Sequence, residues 1–159
     1  MSRVQDLFSK DYKLLIEGGF IACNQGDEAS ALALFNAGKV LRPADAVWEI
    51  GLGYIAMNKM DLTSAAEIFS RLLEREPENY MAQAFLGLTL GLTFAVAKVT
   101  KKKTKQDIVP EKDLKQVAMA LLEEAKEKSS DRAVKQLANA SLSWLEEGIK
   151  HGSPLQFGR

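Results

Sequence analysis

At 159 residues, with 47% hydrophobic and 26% charged residues, the chain is long and apolar enough to build one packed domain. Its 21 basic and 21 acidic residues cancel, so no net charge favours nucleic acid or an anionic membrane as a partner. The single cysteine, Cys23, excludes an internal disulfide and is typical of a cytoplasmic protein.

The first residues lack the basic-then-apolar pattern of a secretory signal. Val4, Leu7 and Phe8 predict a short leading helix that packs on the segment after it.

Residues 12–45 and 46–79 repeat each other at a spacing of 34 residues, and ten positions carry the same residue in both blocks. These pairs are Ile16/Ile50, Gly19/Gly53, Ile21/Ile55, Ala22/Ala56, Asn24/Asn58, Asp27/Asp61, Ser30/Ser64, Ala31/Ala65, Phe35/Phe69 and Pro43/Pro77. The apolar periodicity within each block predicts two helices joined by a short turn.

The first block predicts helices over residues 12–24 and 28–41, and the second predicts a helix over 47–58 and another after Asp61. Gly26 suits the left-handed conformation at a helix end, while Asp27 and Asp61 suit N-caps. Gly19 and Gly53 are expected where helices approach closely, with Phe35 and Phe69 filling the space between repeats.

The third block begins at residue 80 and then departs from the pattern. A helix is predicted to about residue 99, and it suits a buried helix better than a membrane span. A polar stretch over residues 100–111 precedes a helix over about 112–128, and Ser129 to Asp131 cap a last helix over about 132–150. Residues 152–159 are expected to be flexible.

No group of residues indicates catalysis. The lone histidine, His151, lies far from Cys23, so nucleophilic catalysis and a structural zinc site are not expected. No nucleotide-binding motif is present, and the chain is predicted to be a non-enzyme without a cofactor or metal. The basic residues from Lys101 to Lys105 are open to three interpretations: a solvated loop, a contact for an acidic partner, or a nucleic-acid contact.

A period of 34 residues, with an early glycine, a small residue and an aromatic in the second half and a closing proline, resembles the tetratricopeptide repeat. The resemblance implies an all-α array of helical hairpins in one domain over residues 1–151. It would hold repeats over 12–45 and 46–79, an interrupted third repeat over 80–128, and a capping helix over 131–150.

In this repeat family the first helix of each hairpin lines a concave groove that binds a partner. The positions of this chain that match the ligand-facing positions are Lys13, Ile16, Phe20, Cys23, Asn24, Val47, Ile50, Tyr54, Met57, Asn58, Met81, Ala84, Leu88, Gly91 and Leu92. Because Lys13, Asn24 and Asn58 are the polar members, a clamp for a peptide carboxylate is not favoured. A protein or peptide segment with apolar anchors is the expected ligand. Two alternatives stay open, in which the groove is filled by this chain's own helices or by a second copy in a homodimer.

A compact protein of about three such repeats, with an apolar groove and a capping helix, resembles the tetratricopeptide chaperones of bacterial type III secretion. This resemblance implies a cytoplasmic protein that holds a secretion substrate before export, without stable membrane insertion. An adaptor or structural subunit of a larger complex is the alternative function.

Overall fold

The computed structural model describes residues 3–100 and 109–148, and in these ranges every regular element is helical. The seven α-helices there are α1 (Arg3–Asn24), α2 (Glu28–Leu41), α3 (Val47–Asn58), α4 (Leu62–Arg75), α5 (Tyr80–Thr100), α6 (Leu114–Lys128) and α7 (Arg132–Ser143). A 3₁₀ turn (Glu111–Asp113) precedes α6, and a π-helical turn (Trp144–Gly148) follows α7. The all-α class predicted from the sequence is confirmed.

Two compact units divide the chain, one over residues 1–68 and the other over residues 69–159. In the first unit, α1 packs on α2 and α3, and α2 packs on α3. Its apolar core includes Tyr12, Ile16, Phe35, Trp48 and Ile55. The prediction of a separate leading helix is wrong, because the backbone of α1 runs without a break from Arg3 to Asn24.

Phe35 is fully buried at the centre of this first unit. A Cβ atom at Gly19 would lie 2.6 Å from the Phe35 ring, and one at Gly51 would lie 2.4 Å from it. Both distances are shorter than a carbon–carbon contact permits. Glycine at these two positions therefore lets α1 and α3 close on the same phenylalanine. On α3 the residue against Phe35 is Gly51 rather than the predicted Gly53, which is also buried.

The two turns that end α1 and α3 share one hydrogen-bond pattern. After α1, the Asp27 N–H donates to the Ala22 carbonyl at 2.9 Å and the Gly26 N–H donates to the Cys23 carbonyl at 3.1 Å. After α3, the Asp61 N–H donates to the Ala56 carbonyl and the Met60 N–H to the Met57 carbonyl, both at 2.9 Å. Such a pair of bonds requires a left-handed residue, which is Gly26 (φ 76°) in one turn and Met60 (φ 59°) in the other.

The predicted N-caps follow these turns. Asp27 Oδ1 accepts a hydrogen bond from the Ser30 N–H at 3.0 Å, and Asp61 Oδ1 accepts one from the Ser64 N–H at 3.2 Å. Each carboxylate satisfies a donor in the first turn of a helix that has no partner within the helix itself.

In the second unit, α5 packs along α6 and α7. Two glycines of α5 allow this approach, because a Cβ at Gly87 would lie 2.8 Å from Leu122 and one at Gly91 would lie 2.9 Å from Leu145. Leu145 belongs to the π-helical turn and is fully buried. The last helix was predicted as one element to residue 150, whereas α7 ends at Ser143 and the chain continues as this π turn to Gly148.

Several predictions fall outside the described residues: the side chains of Val4, Leu7 and Phe8, the basic residues 101–105, and the tail over 152–159.

Candidate partner-binding site

The two aromatic residues predicted to face the groove from the first two repeats lie beside each other. Phe20 on α1 and Tyr54 on α3 occupy equivalent positions in the 34-residue repeat, and their ring centroids are 5.8 Å apart. Phe20 also meets Phe35 edge to face, with centroids 5.1 Å apart. Since both Phe20 and Tyr54 are half-buried, each ring rests on the core and keeps part of its surface open to solvent.

The Tyr54 hydroxyl lies between two asparagines that are also repeat equivalents. It donates a hydrogen bond to Asn24 Oδ1 at 3.0 Å. Burial raises the pKa of Tyr54, the neighbouring Cys23 acts in the same direction, and a hydrogen bond with the Asn58 side chain lowers it. The Tyr54 phenol therefore stays neutral at physiological pH. Asn24 and Asn58 are themselves exposed, so their amide groups can also bond a ligand.

We call the surface formed by Phe20, Tyr54, Asn24 and Asn58 the aromatic-amide surface. It lies wholly within the first unit, because all four residues belong to α1 or α3. Two aromatic rings next to two amide groups can bind an apolar side chain and hydrogen-bond the peptide backbone beside it.

Lys13 is not part of this surface. Its ammonium group is exposed and lies 3.6 Å from a Glu17 carboxylate oxygen one turn along α1. Lys13 and Asn24 are separated by 11 residues of the same helix, or about 16 Å along its axis. One side chain cannot span that distance, so a single carboxylate group could not meet both residues.

Other predicted groove residues are buried, and in the first two repeats they recur at the same offsets. Ile16 and Cys23 belong to the core of the first unit, and their equivalents Ile50 and Met57 are 4% and 5% exposed. Ala84 and Leu88, predicted from the third repeat, are at most 1% exposed, and Gly91 is covered by Leu145. The half-buried members are Val47, Met81 and Leu92. The buried residues offer no surface to a partner in this conformation.

Two exposed apolar residues on α1 were not singled out as site residues. Leu14 is 66% exposed and Ile21 is 57% exposed. They are seven residues apart and so share one face of the helix. The seven-residue spacing of Leu14 and Ile21 is visible in the sequence, but the repeat offsets do not select either residue.

Nothing in the described ranges, 3–100 and 109–148, arranges three or more His, Cys, Asp or Glu side chains so that they could hold a metal ion. The pKa of the Cys23 thiol is raised by burial, so the sulfur is protonated and a poor nucleophile at neutral pH.

One described helix, α5, is long and apolar enough to cross a membrane. The core helix of a soluble protein passes the same test, and 67% of the apolar window of α5 is buried inside the structure. Length and composition are therefore weak evidence for a membrane span here.

Comparison with known proteins gives little further information. No family model and no solved structure matches the chain. A segment of 69 residues is 36% identical to the inner membrane transport protein YajR of Escherichia coli strain K12. The match covers 43% of this chain and 15% of that protein, so it is a partial similarity and does not establish a family.

Proposed function

We propose that this protein is a tetratricopeptide-type repeat protein that binds a partner protein through the aromatic-amide surface. The observation that carries the proposal is that residues at equivalent repeat positions lie together. The Phe20 ring lies beside the Tyr54 ring, and the side chains of Asn24 and Asn58 both interact with the Tyr54 hydroxyl group. In helical repeats, stacking places equivalent positions of adjacent repeats side by side to form an extended binding surface.

The shared turn after α1 and α3 supports the repeat part of this proposal. Equivalent hydrogen bonds surround a left-handed residue at positions 26 and 60, which are one 34-residue period apart. Met60 adopts this conformation although it is not a glycine. The geometry of the turn therefore follows the repeat even where the residue that would favour it is missing.

The half-exposed rings favour a partner with apolar side chains. Burying a Leu or Val side chain against them would contribute roughly 1.5–3 kcal/mol before the cost of ordering the partner. The asparagine amides can pair with the backbone of an extended or helical segment. Together these features suit a chaperone that holds an aggregation-prone segment, and we propose a secretion substrate in the cytoplasm as its ligand.

The test compares two charge substitutions, one inside the aromatic-amide surface and one outside it. Tyr54→Glu puts a carboxylate into the aromatic-amide surface, while Val40→Glu puts one on α2 at a position that is 81% exposed. The tagged proteins are purified from the native host, and partners are identified by mass spectrometry and sized by light scattering. We expect Tyr54→Glu to lose the partner and Val40→Glu to keep it, with equal helical content by circular dichroism.

The identity of the partner separates the functions. A small export-bound protein in a defined complex supports the chaperone. A large folded assembly indicates the adaptor, and a homodimer that Tyr54→Glu dissociates indicates self-association. Equal partner binding by both variants would remove the aromatic-amide surface from the function. Ile50→Asp is unsuitable for this test, because Ile50 is 4% exposed and a buried carboxylate would unfold the helices around it.

A further inference from the structure

The face of α2 that points away from the core of the first unit is largely apolar and carries no charge. Its residues recur at spacings of three and four, are all exposed, and are Ala29, Ala33, Asn36 and Val40. Val40 is 81% exposed, and Leu32 at the edge of this face is 42% exposed. We call the surface formed by these five residues the outer α2 face.

The second repeat shows that the fold does not require apolar residues at these positions. One period later, Glu67 on α4 stands in place of Ala33, and Glu74 stands in place of Val40. Both glutamates are exposed. Exposed apolar residues that the repeat itself does not need are typical of a surface that another molecule covers. The outer α2 face therefore has a role beyond the packing of the first unit.

Charges of opposite sign stand at the two ends of the outer α2 face. Glu28 lies in the first turn of α2 and Lys39 in the last, and α2 has no other charged residue. Eleven residues separate them, which is about three turns, so both lie on the same side of the helix. Glu28 Oε1 accepts from Lys59 Nζ at 2.8 Å, and the Lys39 ammonium lies 4.8 Å from the centre of the Trp48 ring. Both side chains remain exposed and can also meet a partner.

We propose that the outer α2 face binds the same face of a second copy of the chain, with the two α2 helices antiparallel. A two-fold axis between residues 34 and 35 places Ala29 opposite Val40 of the second copy and Ala33 opposite Asn36. It also brings Glu28 of each copy near Lys39 of the other, whereas parallel helices would bring like charges together. The small side chains of Ala29 and Ala33 let the helices approach closely.

This interface goes beyond the proposed function, because the aromatic-amide surface lies on α1 and α3 and shares no residue with it. The size of the outer α2 face sets the expected strength of the dimer. A helix of 14 residues is about 21 Å long, and two such helices side by side bury less than the roughly 1,200 Å² at which stable interfaces begin. We therefore expect a transient dimer with a Kd of about 100 µM.

Sedimentation equilibrium of the purified full chain from about 5 to about 500 µM tests the proposal. The weight-average mass should rise from 17.5 kDa towards twice that value. The double variant Ala33→Glu with Val40→Glu gives α2 the residues that α4 carries at the equivalent positions. It should therefore fold, with an unchanged circular dichroism spectrum, and stay monomeric at every concentration.

The matched control is Leu14→Glu, a change of the same kind on α1 at a residue that is 66% exposed. It should dimerise like the unmodified protein, and so should Tyr54→Glu, which separates this interface from the aromatic-amide surface. An unmodified protein that stays at 17.5 kDa up to the highest concentration would overturn the proposal. A dimer that persists in the double variant, or that Leu14→Glu or Tyr54→Glu dissociates, would also overturn it.

Cysteine cross-linking in a Cys23→Ala background tests the antiparallel arrangement. The two copies of residue 33 would be offset by about 4.5 Å along the helix axis, and those of residue 29 by about 16 Å. Because a disulfide needs Cα atoms within about 7 Å of each other, Ala33→Cys should form a covalent dimer on oxidation and Ala29→Cys should not. Cross-linking at both positions would indicate parallel helices and would contradict the proposed pairing.

Discussion

The first two repeats carry identical residues at several equivalent positions, yet these residues lie in different surroundings. Ile55 on α3 is 9% exposed and belongs to the core of the first unit, whereas its equivalent Ile21 on α1 is 57% exposed. Ile55 lies on α3, which packs on both α1 and α2, whereas Ile21 lies on a face of α1 that the described helices leave exposed. A repeat therefore specifies where a side chain lies on its helix, while the neighbouring helices decide how much it stabilises the fold.

The aromatic residues of the two repeats show the same difference. Phe35 and Phe69 are equivalent and both fully buried. Phe35 packs against glycines of α1 and α3, while Phe69 stacks on Phe85, with centroids 5.5 Å apart and the rings 11° from parallel. The same residue type thus fills a glycine-lined gap in one unit and joins an aromatic pair in the other.

The largest expected effect comes from Phe35→Ala. It empties the gap between Gly19 and Gly51, so we expect the free energy of unfolding of the first unit to fall by about 3–5 kcal/mol. Urea denaturation should be followed by tryptophan fluorescence, because Trp48 belongs to the first unit and Trp144 to the second. A background of Trp144→Phe makes the signal specific for the first unit. A loss below 1 kcal/mol would show that Phe35 is not central to this core.

The next largest effect on the free energy of unfolding is expected from alanine substitutions at Ile55 and Ile21. Ile55→Ala should destabilise the first unit by about 2–4 kcal/mol, because it leaves a cavity in the core. Ile21→Ala should change the free energy of unfolding by less than about 0.5 kcal/mol, since the side chain is mostly exposed. The same denaturation experiment measures both. Equal effects would mean that Ile21 is covered in solution, as it would be in a homodimer.

Substitutions at Gly26 and Met60, the left-handed residues of the two turns, should change the stability by smaller amounts and in opposite directions. Gly26→Ala should destabilise the protein by about 1 kcal/mol, because a Cβ atom is unfavourable in the left-handed region. Met60→Gly should stabilise it by about 0.5 kcal/mol, because relief of the same strain exceeds the added entropy of the unfolded chain. Thermal unfolding by circular dichroism distinguishes them. A lower melting temperature for Met60→Gly would contradict this account.

The smallest effect is a dependence on pH. Hydrogen bonds with Ser30 lower the pKa of Asp27, and those with Ser64 lower the pKa of Asp61. The stabilisation by these caps is complete above the unfolded pKa of about 3.9 and is lost as the pH falls through the lower folded values. Substituting both by asparagine should therefore reduce the loss of stability between about pH 4 and pH 2. An unchanged acid titration would show that the caps do not contribute.

Local signals in the sequence predict most of the helices. The bounds of α2 and α3 match the predicted ones, and Gly26, Asp27 and Asp61 have the predicted roles in turns and caps, because these features depend on residues a few positions apart. The continuity of α1 and the π turn after Ser143 were not predicted. Hydrophobic periodicity does not show whether two adjacent helical segments join or whether the hydrogen-bond pattern shifts by one residue.

The candidate site was harder to predict than the helices. The repeat offsets led to Phe20, Tyr54, Asn24 and Asn58, which lie together in the structure. The same offsets also led to Ile16 and other residues that are buried, since an offset fixes a direction on the helix but not what covers it.

The burial of Cys23 makes the first unit accessible to a kinetic measurement. It is the one cysteine of the chain and lies in the core beside Tyr54. Because Cys23 is only 8% exposed, a thiol reagent reacts slowly with the closed unit, so the labelling rate in the absence of denaturant reports the opening of this unit. If a bound partner bridges Phe20 and Tyr54, it slows that opening. The labelling rate would then measure partner affinity without any attached probe.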